Sequence, residues 1–348
     1  MYICLAPMDG ITDAVYRYVV YDIVRPYLTD NHFLAWTEFM SSDGYIHSRQ
    51  KLTKHLITFP ILYSHTIAQI YGWDKDILTH VACKIDQTYD FHGIELNIWC
   101  PSPKVMACWW GVGMLKDKTK TLQIIKHMSQ SIKKPFSIKT RIGLSQDDCQ
   151  AQKDFILASA EYCQTITIHG RTYRQSHSGQ VDRDFIYQIK DILGDRIKVF
   201  GNGGITSYQD MCTHQGNLDG VMIGQSAIGN PRIFTPDQPS VSQRYHTILK
   251  HLRLSCLLEL YIRDPIVWDI DNQMFIQPDL DNLLSQINHI DLHPDRNTCH
   301  SVIEFRKYLF NYIHGLPGNR DLKIQVAQVK DYDTLRDLIC RYMEQLES

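Results

Sequence analysis

The sequence predicts an α/β protein, a (β/α)8 TIM barrel over residues 1–240 followed by a helical domain over residues 241–348. Three observations lead there. Short apolar strand-like runs alternate with helix-period segments from residue 2 to about residue 230. Most of these runs end in polar or glycine-rich residues, as in Ala6-Pro7-Met8-Asp9-Gly10, His169-Gly170-Arg171-Thr172 and Gly201-Asn202-Gly203-Gly204. Beyond Phe234 the β pattern stops at Thr235-Pro236-Asp237-Gln238-Pro239-Ser240, which reads as a linker, and helical periodicity takes over. In parallel α/β folds ligands bind at the C-terminal ends of strands, so recurrent polar strand ends argue for one site on one barrel face.

In order, residues 2–6 form a brief apolar strand, and Thr12 with Asp13 can begin a helix that runs through Arg17. A second strand region spans Leu34 to Phe39, and strand-like segments between Ile57 and Ile70 end in Gln69-Ile70-Tyr71-Gly72. Asp74 to Lys84 is helical. From Gly93 the apolar alternation of Ile94, Leu96 and Ile98 delivers a strand into Cys100-Pro101-Ser102-Pro103-Lys104. Then come a helix from Thr119 to Gln130, a strand from Phe136 to Thr140, a helix from Asp148 to Glu161 and a strand from Thr165 to Ile168. The barrel ends with helices at Asp184–Leu193 and Ser207–His214, and strands at Ile197–Phe200 and Gly220–Ile223. Helical stretches at Tyr245–Tyr261, Leu280–Ile290, Ser301–Ile313 and Ile324–Leu346 fill the rest, with Leu316-Pro317-Gly318-Asn319 before the last. That appendage exceeds what barrel closure needs, so a second binding surface is expected there.

Composition narrows the function classes. At 44% hydrophobic and 21% charged, with a net charge of -2, the chain is neither a disordered tail nor a bulk polycation. Charge is nonetheless uneven: between Lys104 and Arg141 nine basic residues face a single acidic one, Asp117, the best compositional hint of a polyanionic partner. A solvated helix face would look the same. Ten cysteines lack zinc-site spacing, no His-Glu-x-x-His occurs, and no required metal is expected. No basic leader precedes an apolar run and no apolar segment reaches about 20 residues, so a cytoplasmic protein with reduced thiols, away from membranes, is expected.

Several strand ends carry chemistry. Within eight positions, Asn97, Cys100 and Lys104 offer a carboxamide, a thiol and an amine, which can orient, protonate and neutralise one small substrate. A buried structural thiol beside a proline turn is the competing reading. Pro7 gives a rigid apolar surface for a flat ring, although turn chemistry also explains it. Lys139 can stabilise negative charge on a ring carbonyl, or snorkel to solvent. His169, one of sixteen histidines, can donate to a carbonyl or phosphate. The glycines of Asn202-Gly203-Gly204 and of Gly224-Gln225 can expose N–H groups to a phosphate. No dinucleotide fingerprint follows the first strand.

Together these stretches resemble the tRNA-dihydrouridine synthase family. The signals are Leu5-Ala6-Pro7-Met8-Asp9-Gly10, Thr37-Glu38-Phe39, Gln69-Ile70-Tyr71-Gly72, Glu95-Leu96-Asn97 before Cys100-Pro101, and Lys139-Thr140-Arg141-Ile142-Gly143. Further ones are His169-Gly170-Arg171-Thr172 with Gln175, Gly201-Asn202-Gly203, and Gly220 through Gly224 to Gly229-Asn230-Pro231. Thr37-Glu38-Phe39 weakly resembles the subgroup that modifies position 16 of tRNA. The resemblance implies FMN as cofactor, NADPH as reductant and tRNA as macromolecular partner; a monomer is expected. It places Pro7, Met8, Gln69, Lys139 and His169 around the flavin, and Asn202, Gly203, Gly224 and Gln225 at its phosphate. Asn97, Lys104, Arg141 and Gln175 would contact or orient the uridine, with Cys100 as proton donor. Hydride from the reduced flavin would enter C6, and Cys100 would protonate C5. The helical tail resembles the family's tRNA-binding domain, with Arg306, Lys307, Arg320 and Lys323 as candidate contacts, supplemented by Lys116, Lys118 and Lys120.

Five positions depart from the family pattern: Trp99 stands where glycine is usual before the cysteine, Trp109 and Trp110 in a stretch that is normally small or polar, Gln225 where arginine is common, and Tyr308 where histidine is common. Trp99 motivates one alternative, a catalytically silent tRNA-binding relative; an FMN reductase of a free pyrimidine or enone, which would need neither tRNA nor the helical tail, is the other.

Overall fold

In the computed structural model, residues 1–98, 111–263, 268–269, 274–275, 284 and 300–347 are described. Cys100, Lys104 and Trp99 therefore lie outside the described residues. Nine strands carry the barrel: β1 (Tyr2–Leu5), β2 (His32–Trp36), β3 (Met40–Ser41), β4 (Thr66–Tyr71) and β5 (Gly93–Asn97), followed by β6 (Phe136–Arg141), β7 (Thr165–His169), β8 (Lys198–Asn202) and β9 (Gly220–Ile223). Every pairing among them is parallel. The ring closes because β1 pairs with both β2 and β9, while β2 pairs with β4 and each later strand with the next. The two-residue β3 adds to β4 beyond that ring, so the barrel itself has eight strands.

Helices connect the strands, and their caps are short polar side chains. Asp13 accepts from Tyr16 N at 2.7 Å to start α1 (Ala14–Val24). Asp74, Asp117, Asp182 and Ser207 cap α3 (Lys75–Thr88), α4 (Lys118–Ser131), α6 (Arg183–Leu193) and α7 (Tyr208–Gln215) in the same way. Between α4 and α6 lies α5 (Cys149–Ser159). The first helix runs past Arg17, where the sequence suggests an end. Arg17 is fully buried, and its guanidinium donates to Thr12 O and Ile57 O, both at 2.6 Å, so this charge is an internal brace. A helix absent from the sequence expectations, α2 (Ser42–Thr53), is polar and kinked at Ser48, and neither feature gives a periodic signal.

After the linker come α8 (Val241–Arg263), α9 (His300–Tyr312), α10 (Asn319–Val326) and α11 (Tyr332–Glu347). The expected single helix over Ile324–Leu346 is two helices. Val326, Val329, Tyr332 and Leu335 are all buried at three-residue spacing, so the apolar period continues across a break where Asp331 accepts from Thr334 N and restarts the helix. Between α8 and α9 the described residues include an antiparallel pair, β10 (Trp268–Asp269) with β11 (Met274–Phe275), a pairing the sequence does not announce. Leu284 is helical, and the rest of the expected Leu280–Ile290 helix lies outside the described residues. No helix among the described residues is long and apolar enough to cross a membrane.

The helical segment packs on the flank of the barrel formed by α1 and the loops after β1 and β9, and shares one apolar cluster with it. Tyr16 donates its hydroxyl to Ala227 O. Tyr308, which stands where histidine is common, donates to Ile11 O at 2.5 Å, so the tail braces the loop after β1.

His251 is the buried centre of this junction. It stacks on Tyr16 at 5.3 Å between centroids and meets Tyr308 edge-on at 4.5 Å. Burial pushes its pKa down to about 3, with Lys307 acting in the same direction. A histidine depressed in the folded state supplies stability above its unfolded pKa of about 6.5, and that stability is lost as pH falls toward the folded value. Thermal stability should therefore drop between pH 6.5 and pH 4, and His251→Phe should flatten that limb in a pH series of melts. An unchanged slope would remove His251 as its cause.

Candidate active site

Strand parity decides which side chains meet. On β4, β5, β6, β7 and β8, Ala68, Ile70, Ile94, Leu96, Ile138, Ile166, Ile168 and Val199 pack outward against the helices. The alternate positions therefore point into the barrel. Cys4, Leu34, Trp36, Ile67, Phe200 and Met222 fill its lower interior. Above them sit polar groups: Gln69 pairs in register with Glu95, Asn97 with Lys139, and Arg141 with His169, which pairs in turn with Asn202. A single face of each strand thus forms an apolar plug capped by a polar layer.

Above that layer opens a cavity of about 590 Å³ at the C-terminal mouth. It is lined by Pro7 and Met8 from the end of β1, Asn97, Lys139, Arg141, His169 and Asn202 from the central strands, and Gly203, Gly224 and Gln225 beyond β8 and β9. Ten residues singled out from the sequence therefore converge. Gln69 and Gln175 are not in the lining. Gln69 is fully buried one layer below: its Nε2 donates to Glu95 Oε1 at 2.6 Å, and its Oε1 accepts from Asn97 Nδ2 at 3.0 Å. Gln175 shapes its own loop, accepting from Thr172 N at 2.7 Å and donating to Gln180 O at 3.2 Å.

The electrostatics follow from burial. Lys139 Nζ donates to Asn202 Oδ1 at 3.2 Å, and Asn202 Nδ2 donates to Met222 O at 2.8 Å, so the lysine is held by a fixed amide. Desolvation pulls the Lys139 pKa down while Glu95 opposes the fall; desolvation raises Glu95 in turn, against Gln69 and Lys139. His169 is held well below the usual histidine range, first by burial and then by Lys139 and Arg141, so its imidazole is neutral. Arg171 Nη1 lies 3.3 Å from His169 Nε2, and since a guanidinium only donates, Nε2 is the accepting nitrogen and the proton sits on Nδ1. Arg141 Nη1 donates to Thr172 O at 3.0 Å and Ser176 O at 2.7 Å, and burial pushes its pKa down to about 10.

The lining suits a flavin nucleotide. Ala6, Pro7 and Met8 give an apolar wall, the cations Lys139, Arg141 and Arg171 face the space, and no carboxylate lines it among the described residues. A cavity of this size is in the range that cofactors occupy. Gly203 has φ +111, and a Cβ there would lie 2.6 Å from the His169 ring, so only glycine lets the backbone approach at that point.

Sequence reasoning gave no role to Glu95, Phe39, Arg171 or His177. Phe39, Arg171 and His177 line the cavity. Glu95 stands inside the stretch Glu95-Leu96-Asn97, but a lone carboxylate on a strand carries no partner information; only the β4–β5 register brings it to Gln69. The neighbouring Thr37 and Glu38 act as scaffold. Thr37 Oγ1 accepts from Gln69 N at 3.0 Å, while Glu38 accepts from Gly10 N at 2.5 Å and meets His55 Nδ1 at 2.9 Å. Of the candidate RNA contacts, Lys118 pairs with Asp148 at 2.8 Å, Lys307 with Glu304 at 2.5 Å, and Arg306 donates to Val329 O.

A sequence model of the dihydrouridine synthase family matches residues 4–259. The chain is 28% identical over 263 residues to a probable tRNA-dihydrouridine synthase of Rickettsia conorii, covering 72% of this chain and 76% of that one. It is 29% identical over 269 residues to tRNA-dihydrouridine synthase B of Pasteurella multocida, at 72% and 76% coverage. A probable tRNA-dihydrouridine synthase of Helicobacter pylori is 30% identical over 238 residues, at 66% and 68% coverage.

Proposed function

The chain belongs to the dihydrouridine synthase family, and from that premise we propose that it reduces the C5=C6 bond of a uridine in tRNA to dihydrouridine, with FMN as cofactor and NADPH as reductant. The single observation that carries this reading is the convergence of an apolar wall, a buried lysine and glycine strand ends on one cavity free of carboxylates among the described residues. Bound FMN, once reduced, supplies the hydride that uracil C6 accepts.

The chain's own groups prepare that step. Pro7 and Met8 support the flat ring, and Lys139 places positive charge where negative charge develops on ring carbonyls. The N–H groups of Gly203 and Gly224, with Asn202 and Gln225, hold the phosphate end. Neutral His169 keeps a proton on Nδ1 to donate. Asn97, fixed by the hydrogen-bond chain through Gln69 to Glu95, and Arg141, anchored on two carbonyls, orient the pyrimidine. Gln175 sets the loop whose carbonyls anchor Arg141. Cys100 protonates C5 as a neutral thiol and Lys104 assists in orienting the base. The uridine must leave its stack to reach the barrel mouth, while residues 241–348 hold the tRNA, as an RNA-binding domain working with the catalytic barrel of residues 1–240. The working protein is a cytoplasmic monomer.

The purified protein should be yellow and release FMN on denaturation. Gly203→Ala should cut retained flavin about tenfold, because its Cβ meets His169 and its backbone is left-handed. Flavin absorbance against protein concentration measures both. A folded parent that takes up no FMN contradicts the reading, and a variant with parental flavin content contradicts the role of Gly203.

A further inference from the structure

Next to the first cavity lies a second, of about 510 Å³, sharing Thr206, Gln225 and Ser226 with it. Its far wall belongs to the helical segment: Arg244 and Thr247 on α8, and Asn311 and His314 at and beyond the end of α9. The barrel side contributes Arg232. The floor is close-packed backbone, since Gly229 has φ +61 and a Cβ there would strike the Tyr308 carbonyl and Asn311.

The charge in this cavity is one-sided. Two arginines and a histidine line it, and no carboxylate does among the described residues. Arg232 Nε is buried with no hydrogen-bond partner. Arg244 donates through Nη1 to Tyr312 O at 2.8 Å, which fixes its guanidinium without neutralising it. Burial lowers its pKa, so removal from water is not offset by an anion. Half-buried guanidinium groups are usually matched by carboxylate or phosphate oxygens, and their fork geometry favours planar oxyanions. A polar cavity with unmatched cations, continuous with a nucleotide site, is suited to a second phosphate.

We propose that this junction cavity is a phosphate-binding site, in which Arg232 and Arg244 grip a phosphate ester carried either by the RNA backbone or by the dinucleotide reductant. Only the identity of the carrier rests on the functional reading above. The site is built from both sides of the barrel–helix junction, so a phosphate there ties the helical segment to the strand ends of the active site.

The test uses the flavin-loaded full chain and the variants Arg232→Gln and Arg244→Gln, with flavin content and melting temperature as controls for folding. If the carrier is RNA, each variant should bind tRNA about tenfold more weakly, with the slope of log affinity against log salt reduced by about one unit, and with the KM for NADPH unchanged. If the carrier is the reductant, the KM for NADPH should rise about tenfold while tRNA affinity holds. Parental values for both ligands in a folded variant overturn the proposal. Should Arg244→Gln fail to fold, Arg232→Gln decides alone. If the parent neither binds tRNA nor oxidises NADPH, the functional reading fails, and inorganic pyrophosphate titrated into flavin-loaded parent and Arg232→Gln decides for the cavity. Binding weakened in the variant supports it, and equal or absent binding overturns it.

Discussion

Replacing Lys139 with methionine should slow reduction of tRNA by about 10²- to 10³-fold while leaving the fold intact. The side chain is buried on β6, lines the cavity and is held by Asn202 Oδ1 at 3.2 Å, so its charge is already aimed before any substrate arrives. Preorganised charge in a water-poor site acts more strongly than the same charge in solvent. Removing it should not unfold the barrel. Burial favours the neutral form of both Lys139 and Glu95, and without its lysine Glu95 would take up a proton more readily.

The same geometry sets a pH dependence. Desolvation holds Lys139 below the ordinary lysine range of about 10.4, so its ammonium is present at lower pH and lost as pH rises, earlier than for an exposed lysine. The rate of flavin oxidation by tRNA in single turnover should therefore decline on the alkaline side, and Lys139→Met should lack that limb. Lys139→Arg should retain its charge across the range and shift the limb upward. A Lys139→Met protein within threefold of the parent at neutral pH would remove the charge from the mechanism.

Cys100→Ala should lower dihydrouridine formation by about 10²- to 10⁴-fold with flavin content and tRNA affinity preserved. The strand that leads to Cys100 argues for this. β5 delivers Glu95 inward beneath the site and Asn97 to its wall, and Cys100 follows three residues beyond Asn97. Rapid-quench analysis of tRNA from one turnover separates the proton-transfer defect from slow product release. Equal product from variant and parent would assign the proton to another donor.

Much of the barrel was legible because strand periodicity is local. Ile94 and Leu96 mark one face of β5, with Ile98 just beyond it, which puts Glu95 and Asn97 on the other without any tertiary information. What that other face touches is non-local. Lys139 and Asn202 are 63 residues apart, and they meet because β6 and β8 both pair with β7 in the curved barrel wall. Gln69 stands in a strand-end motif yet lies below the cavity, because parity fixes its direction but not its depth.

Tertiary context also explains the other differences. Arg17 is the last residue of the expected first helix, and its burial depends on a carbonyl forty residues further on. The apolar period from Val326 to Leu335 hides a break that only the Asp331 cap reveals. The junction cavity has walls contributed by residues from Thr206 to His314, so no sequence window contains it.

The central claim is that a flavin in this barrel mouth reduces one uridine of tRNA. Mass spectrometry of nuclease-digested tRNA, after incubation with flavin-loaded protein and NADPH, tests it most directly. One fragment should gain the mass of two hydrogens in the parent reaction and none in the reaction lacking NADPH. Unmodified tRNA from a flavin-loaded protein that binds it would contradict the claim and leave the chain a tRNA-binding flavoprotein.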